Sequence, residues 1–429
     1  MRLLFSVLAL CAAVLGQAAD KDYPLVDAQE VRARGGLPNF FLKAQTTGAE
    51  LKIGYLGGSI TAQNGWRVQT LAHFRQACPQ ASFTEVNAAI GGTGSDLGVF
   101  RVQQDVLSKG PDLLFVEFAV NDGGADPQRI IRAMEGIVRQ TWKANPSTDI
   151  CFVYTITEAL SPPMLEGKLQ RSASAMEKVA DHYGIPSITL GMEVAKLAKA
   201  GKLLWRAKLP KTADERAALA DRFVFAPDST HPHESTGHVL YTQAIVRSLP
   251  ALAIANATPT AHVSGPALDP ANWERAKLAP ITAAKLSAGV ASADPATDAH
   301  AKVGAKRLPA MVRLTRPGQS LEFRFQGTHC AVYDVVGPAG GKVAVTLDGG
   351  KPFVVQRIDA YGTYPRLSTF IVGTDLAEGV HSVRLELLAD PIDKAAVLAK
   401  NKNKIDKPER FAPLEFHPGG LLLVGELVP

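Results

Sequence analysis

Between Leu51 and about Leu249 short apolar runs alternate with longer amphipathic ones, and this alternation confines the chain to an α/β architecture. Strands are expected at Leu51–Leu56, Ser82–Asn87, Asp112–Phe118, Asp149–Thr155 and Pro186–Leu190. Helices are expected between and after them at Arg67–Gln76, Asp96–Ser108, Pro127–Ala144, Leu165–Tyr183 and Glu234–Arg247. Several strands are apolar at successive positions, as a strand covered by helices on both faces requires. Five parallel strands with flanking helices make a doubly wound sheet, whose ligands bind beyond the carboxyl ends of the strands.

The 429 residues, 46% of them hydrophobic, exceed what one ordinary core holds, so two domains are expected. Residues 250–304 are rich in Ala, Pro, Thr and Ser and read as an extended connector with at most short pieces of structure. Beyond them, over 305–429, runs at Ser320–Phe325, Cys330–Val335, Lys342–Leu347, Phe353–Ile358, Thr369–Val372 and His381–Leu388 are separated by turns such as Asp348-Gly349-Gly350. That pattern predicts an antiparallel β-sandwich, jelly-roll-like.

At the other end, Met1-Arg2, the apolar run Leu3 to Leu15 and the small residues up to Ala19 read as a cleaved export signal over 1–19, too short to span a bilayer. Leu10 before Cys11 is not the small residue that lipid attachment wants. Residues 20–50 form an N-terminal extension to the expected catalytic domain at 51–249, and the mature chain is expected to be soluble in a periplasm or outside the cell. Cys78, Cys151 and Cys330 permit at most one disulfide, and Cys151 lies in an expected buried strand, so neither a disulfide framework nor a metal cluster is expected. The net charge of +5 is dispersed apart from a basic stretch from Lys394 to Arg410, read as a solvated loop. No zinc-finger, helix-turn-helix or aromatic-basic signature supports nucleic-acid binding.

Four motifs fall at expected strand ends or in late loops: Gly57-Gly58-Ser59-Ile60-Thr61, Asn87-Ala88-Ala89-Ile90-Gly91-Gly92, Val120-Asn121-Asp122 and Asp228-Ser229-Thr230-His231-Pro232. Each alone is a common turn. The paired glycines before Ser59 permit a sharp turn that lifts its hydroxyl to the strand end, at the entry to a helix. A serine hydroxyl is a weak nucleophile without a neighbouring base. His231 fills that role, with Asp228, on the same turn, fixing its tautomer. His233 and His238 lack an acid so spaced; they read as loop surface and as one face of the following helix. A Gly92 amide and the Asn121 side-chain amide are neutral donors for an oxyanion, with Gly91 and Gly94 as alternatives to Gly92.

With these blocks in this order, the stretch Leu51 to Leu249 resembles the SGNH (GDSL-type) hydrolase family. The resemblance implies a flavodoxin-like three-layer fold with a five-stranded parallel sheet. It also implies a catalytic set of Ser59, Asp228 and His231, an oxyanion hole of Ser59, Gly92 and Asn121, and neither metal nor organic cofactor. The first block reads Gly-Gly-Ser-Ile where the family pattern has Gly-Asp-Ser-Leu. Variants of this kind, with an appended β-sandwich, look like secreted carbohydrate esterases more than lipases. The expected partner is therefore an acetylated polysaccharide or oligosaccharide, with Trp66 and Arg67 as candidates for its subsite and Tyr361 and Tyr364 as residues of the sandwich core or of the domain junction. Two other readings stay open: a lipid, aryl or thioester hydrolase using the same residues, and a glycan-binding protein without catalysis.

Overall fold

The structure of the chain, a computed structural model, describes residues 23–253, 258 and 260–429; the expected export signal lies outside them. Strands β1 (Val31–Arg32), β2 (Glu50–Gly57), β3 (Ser82–Asn87), β4 (Leu113–Glu117), β5 (Asp149–Tyr154) and β6 (Ser187–Thr189) form one sheet in the order β1-β6-β5-β4-β2-β3. β2 to β6 run parallel and correspond to the five expected strands. β1 adds an antiparallel edge, with Val31 opposite Ile188. Every residue of Leu113-Leu114-Phe115-Val116-Glu117 is buried, as helical layers on both faces dictate.

The helices Ser95–Asp105, Pro127–Ala144 and Arg171–Tyr183 pack on one another in that order, and Trp66–Ala77 packs on Gly237–Leu252. Their local causes are legible. Pro127–Ala144 opens on an Asp126 cap whose carboxylate accepts from the Arg129 amide, with Pro127 in the first turn. Its buried residues Ile130, Met134, Ile137, Val138 and Thr141 recur at helical spacing and face the core. The sheet order reverses between β3-β2 and β4-β5, which places the crevice for a ligand at the carboxyl ends of β2 and β4. A separate parallel pair, β7 (Leu203–Arg206) and β8 (Phe223–Ala226), carries the chain to the Asp228 loop. No helix among the described residues is long and apolar enough to cross a membrane.

The stretch expected as a connector is drawn into structure: β9 (Ala276–Pro280) pairs along residues 420–424, and β10 (Lys285–Leu286), β11 (Ala291–Ser292) and the short helix Ala299–Gly304 follow. The remaining strands are β12 (Val312–Arg313), β13 (Ser320–Val336), β14 (Lys342–Leu347), β15 (Phe353–Gln356), β16 (Arg366–Gly373), β17 (Gly379–Leu387) and β18 (Pro418–Val428). Together they form a C-terminal antiparallel domain built on one continuous sheet, β15-β14-β17-β13-β18-β9, with β10 and β16 also on β13.

The runs expected as two strands at 320–325 and 330–335 are thus one bent strand. β13 pairs with β17 over Ser320–Gly327, then with β16 over Cys330–Val336, and irregularities at Gly327/His329 and Cys330/Ala331 mark the bend. The two halves enclose one core of Leu321, Phe323, Phe325, Val332, Val343, Phe370, Leu385 and Leu423. A second apolar seam joins the domains: Ala301, Leu308, Met311, Tyr333, Leu422 and Val424 belong to the same buried cluster as the α/β core. Phe100 and Trp273 meet His329 there.

Two surface expectations change. Residues 394–399 of the basic stretch form a helix, and the buried Lys394 ammonium donates to the carbonyls of Pro338 and Pro413 at 2.8 and 2.7 Å. Desolvation lowers its pKa to about 8. Tyr361 and Tyr364, expected in a core or junction, are exposed on the β15–β16 loop, because the loop anchors itself through backbone carbonyls held by Asn403 and Arg410 instead of through its rings.

Candidate active site

β2 ends in Gly57-Gly58, and Ser59 opens the single-turn helix Ser59–Ala62. Side chains at either glycine would collide, at Gly57 with the Glu117 carbonyl and at Gly58 with Asn121, so the turn requires both glycines. Beneath it lies Glu117, whose carboxylate accepts from the Thr61 hydroxyl at 2.9 Å and the Thr155 hydroxyl at 2.6 Å. It ties the serine turn to β4 and to the end of β5. Burial pushes its pKa up against these hydrogen bonds.

The base arrives from β8. His231 Nε2 lies 2.8 Å from Ser59 Oγ, and Nδ1 lies 2.8 Å from Asp228 Oδ2. With Nδ1–H donated to the carboxylate, Nε2 presents a lone pair to the serine hydroxyl. The other Asp228 oxygen accepts from the Thr230 and His231 amides at 3.0 and 2.8 Å. Burial opposes ionisation of Asp228, but the His231 amide, the His231 ring and the Thr230 amide overcome it and hold the carboxyl below its ordinary range. The loop turns through Ser229 at φ 63°, whose carbonyl accepts from the Glu158 amide at 3.1 Å. The site is open: the Asp228 and His231 side chains are 48% and 37% exposed.

Gly91 adjoins the nucleophile, since a Cβ there would stand 3.6 Å from the Ser59 Cβ, and Gly92 sits at φ +73°, a conformation that favours glycine. The Ser59 and Gly92 amides and the Asn121 side-chain amide donate to no acceptor among the described residues. Three neutral donors therefore stand uncommitted on the segments that meet around Ser59. Behind them Asp122 is buried and accepts from the Ser95 amide at 3.0 Å, and Gly94 leaves the space it fills. Desolvation raises the Asp122 pKa to about 7.

The structure brings together Ser59, Gly92, Asn121, Asp228 and His231 but not the two residues nominated for substrate contact. Trp66 is fully buried against Tyr55 and Phe115, because the first turn of its helix points into the α/β core. Arg67 is buried too, paired with Glu85 and donating to the Thr61 carbonyl at 3.0 Å, so it braces the serine turn from within. His233 Nε2–H donates to the Ala207 carbonyl at 2.9 Å.

His238 is buried and accepts from the Trp66 amide at 3.2 Å, while its other nitrogen meets Gln63 Oε1 at 3.2 Å. Gln63 in turn donates to the Pro232 carbonyl at 3.4 Å. Desolvation lowers the His238 pKa to about 4, which keeps it neutral. Gln63, Glu117 and Asp122 carry no local sequence signal, since their roles exist only once distant strand ends meet.

One cluster offers metal-type donors: atoms of Asp298, His300 and His417 lie within 4.8 Å of one another. The two imidazoles, however, stack face to face at 3.8 Å and 7°, so their lone pairs lie in parallel planes and do not converge. Burial opposes protonation of His417, but Asp298 and Glu415 outweigh it and raise its pKa; Arg313 pairs with Glu415 at 2.5 Å. The cluster is an ion-pair network at the domain seam. The described cysteines, Cys78, Cys151 and Cys330, are free thiols.

A serine turn at the reversal of a parallel sheet, a histidine–aspartate pair on a late loop and uncommitted donors beside the hydroxyl define a carboxylic ester hydrolase of the SGNH class. Residues 55–235 match the GDSL-like lipase/acylhydrolase family model, and an additional C-terminal domain follows them. The fold is similar to a solved two-domain esterase (CEX) active on acetylated mannans and co-crystallised with mannopentaose: TM-score 0.70 at 18% identity, over 95% of this chain and 100% of that one. A second structure of a two-domain esterase (CEX) active on acetylated mannans gives TM-score 0.69 at 19% identity, over 92% and 98%. No curated protein matches the chain.

Proposed function

We propose that the protein hydrolyses acetyl esters on a polysaccharide or oligosaccharide through an acyl-enzyme, and that it acts outside the cytoplasm. The observation that carries the catalytic part is the Ser59–His231–Asp228 relay, with both hydrogen bonds at 2.8 Å. Ser59 Oγ attacks the acetyl carbonyl as His231 Nε2 takes its proton, and the oxyanion accepts from the Ser59 and Gly92 amides and from Asn121. Collapse of the tetrahedral intermediate breaks the bond to the sugar oxygen, which leaves with the proton from His231. Water then attacks the acetyl-serine with His231 as base, releasing acetate and restoring the hydroxyl. No step calls for a metal or organic cofactor.

The openness of the site supports a polymeric substrate, because an acetyl group on a chain must reach Ser59 with sugar units on either side. The likeness to esterases active on acetylated mannans supports mannan as the first substrate to test. Export rests on the N-terminal pattern over residues 1–19.

The test is acetate release from acetylated mannan, xylan, xyloglucan and pectin, with Ser59→Ala as control, alongside long-chain lipid esters. Release from one or more glycans, abolished in the variant, is expected. A flat response to the glycans with rapid cleavage of lipid esters would overturn the substrate class. Failure of folded wild-type protein to react with a fluorophosphonate would overturn the catalytic role.

A further inference from the structure

The loop that leads to Gly92 is held residue by residue. Ala88 donates to the Tyr55 carbonyl at 2.9 Å, Ala89 to Asn87 Oδ1 at 3.1 Å and Ile90 to the Gly57 carbonyl at 3.0 Å. The Ile90 carbonyl accepts from the Thr93 hydroxyl at 2.8 Å. The carbonyls of Ala88 and Ala89 are taken by two arginines from different parts of the molecule. Arg101, on the helix Ser95–Asp105, donates to the Ala88 carbonyl. Arg307, just after the helix Ala299–Gly304, donates to the Ala89 carbonyl at 3.3 Å.

Asp105 joins the two guanidinium groups. Its Oδ2 accepts from Arg101 at 2.9 Å and from Arg307 at 3.2 Å, and its side chain is only 5% exposed. Gln104 adds a bond to the Arg307 carbonyl at 3.3 Å. Arg307 is anchored from the other side as well: Ala301, Leu308 and Met311 around it share a buried cluster with Tyr333, Leu422 and Val424 of β13 and β18. A movement of that seam therefore reaches the Ala89 carbonyl, two residues before Gly91, through one side chain.

We propose that Arg307 is a positioning residue through which the C-terminal domain fixes the Gly91–Gly92 turn, so that the domain serves turnover itself. The proposal rests on the reading of Gly92 as an oxyanion donor. A carbonyl left without its guanidinium leaves the Ala89–Ile90 peptide held only through its amide hydrogen bond to the Gly57 carbonyl, and in that looser turn Gly92 presents its amide less well to the developing charge. A loosened donor costs less than a deleted one. Misplacements of about 1 Å cost up to about 10²-fold, and partial loosening puts the expected loss near 10-fold.

The experiment uses the full chain and 4-nitrophenyl acetate, which carries no sugar for a glycan site to grip. Arg307→Ala should lower kcat about 10-fold with KM within twofold of wild type. Arg307→Lys, which keeps the charge but not the fork, should recover part of the loss. Hydrogen exchange of the 88–93 amides should quicken in Arg307→Ala while the thermal midpoint moves little. Unchanged kcat and unchanged exchange would overturn the proposal, as would a loss that follows the thermal midpoint with exchange raised everywhere. Faster exchange at 88–93 in a protein whose wild type cleaves no ester would sustain the positioning role and sink the esterase reading instead.

Discussion

The side-chain oxygen of Asn121 stands 1.8 Å from where a Cβ on Gly58 would be. Nucleophile turn and donor side chain are thus fitted into each other, and neither can shift alone. Gly58 itself has φ −91°, which any residue adopts, so the constraint is contact and not backbone strain.

Gly58→Ala should therefore displace Asn121 and act like the loss of an oxyanion donor, lowering kcat for a short acetyl ester by about 10²–10³ with little change in KM. Kinetics on the purified variant, with circular dichroism to establish folding, decide it. Turnover above half the wild-type value would show that Asn121 takes no part.

In the proposed mechanism Asp228 fixes the imidazole tautomer and carries the charge that stabilises the imidazolium. Asp228→Asn should cost roughly 10³–10⁴ in kcat. The Asp228 carboxyl lies below its ordinary range, so its ionised form persists, and its support for His231 remains, until the pH falls beneath that of a normal carboxylate. A kcat/KM profile should show no break attributable to Asp228 near pH 4. A clear break there that vanishes in the Asn variant would contradict the assignment.

Asp122 works in the opposite sense. Its folded pKa is raised to about 7, whereas the unfolded chain ionises near 3.9. Between those values the unfolded state sheds its proton first, so this group makes the protein less stable as pH climbs, and the effect levels off above about 7. Urea midpoints of wild type and Asp122→Asn between pH 4 and 8 should diverge in favour of the variant through that window. Parallel curves would place the Asp122 pKa in the normal range.

Trp66 belongs to the core. Trp66→Ala should cost about 3–5 kcal/mol of stability, and Trp66→Phe should leave KM for acetylated mannan within twofold. Chemical denaturation and initial-rate measurements read the two effects separately. A tenfold rise in KM for the stable Phe variant would return Trp66 to the substrate subsite.

The parallel sheet was legible because its signal is local: Leu113 to Val116 are apolar in a row, and a strand covered on both faces needs nothing else. Ser59 and Asn121 were legible because each follows an expected strand end with the residue type its chemistry demands, and Asp228 and His231 because their spacing puts both on one loop turn. Trp66 and Arg67 show the limit. They follow the nucleophile in sequence, but the helical turn between aims them under the site, and no spacing rule reports that direction. The strand Pro418–Val428 was missed because Pro418-Gly419-Gly420 reads as a turn. Gly420 pairs there with Pro280 because a side chain at that position would meet Leu278. Gln63, Glu117 and Arg307 act through partners tens to hundreds of residues distant and leave no local trace.

β9 and β18 pair residue for residue although Pro280 precedes its partner Gly420 by 140 positions. At about 5–20 residues per second on the ribosome, roughly 7–28 seconds separate the emergence of the two. During that interval β9 has no hydrogen-bonding neighbour and the long β13, once made, keeps the flank that β18 will cover open, while the α/β half already holds all its strands. The nascent molecule is therefore born in two instalments. The later one passes through a spell with bare backbone exposed, when a chaperone would have something to grasp.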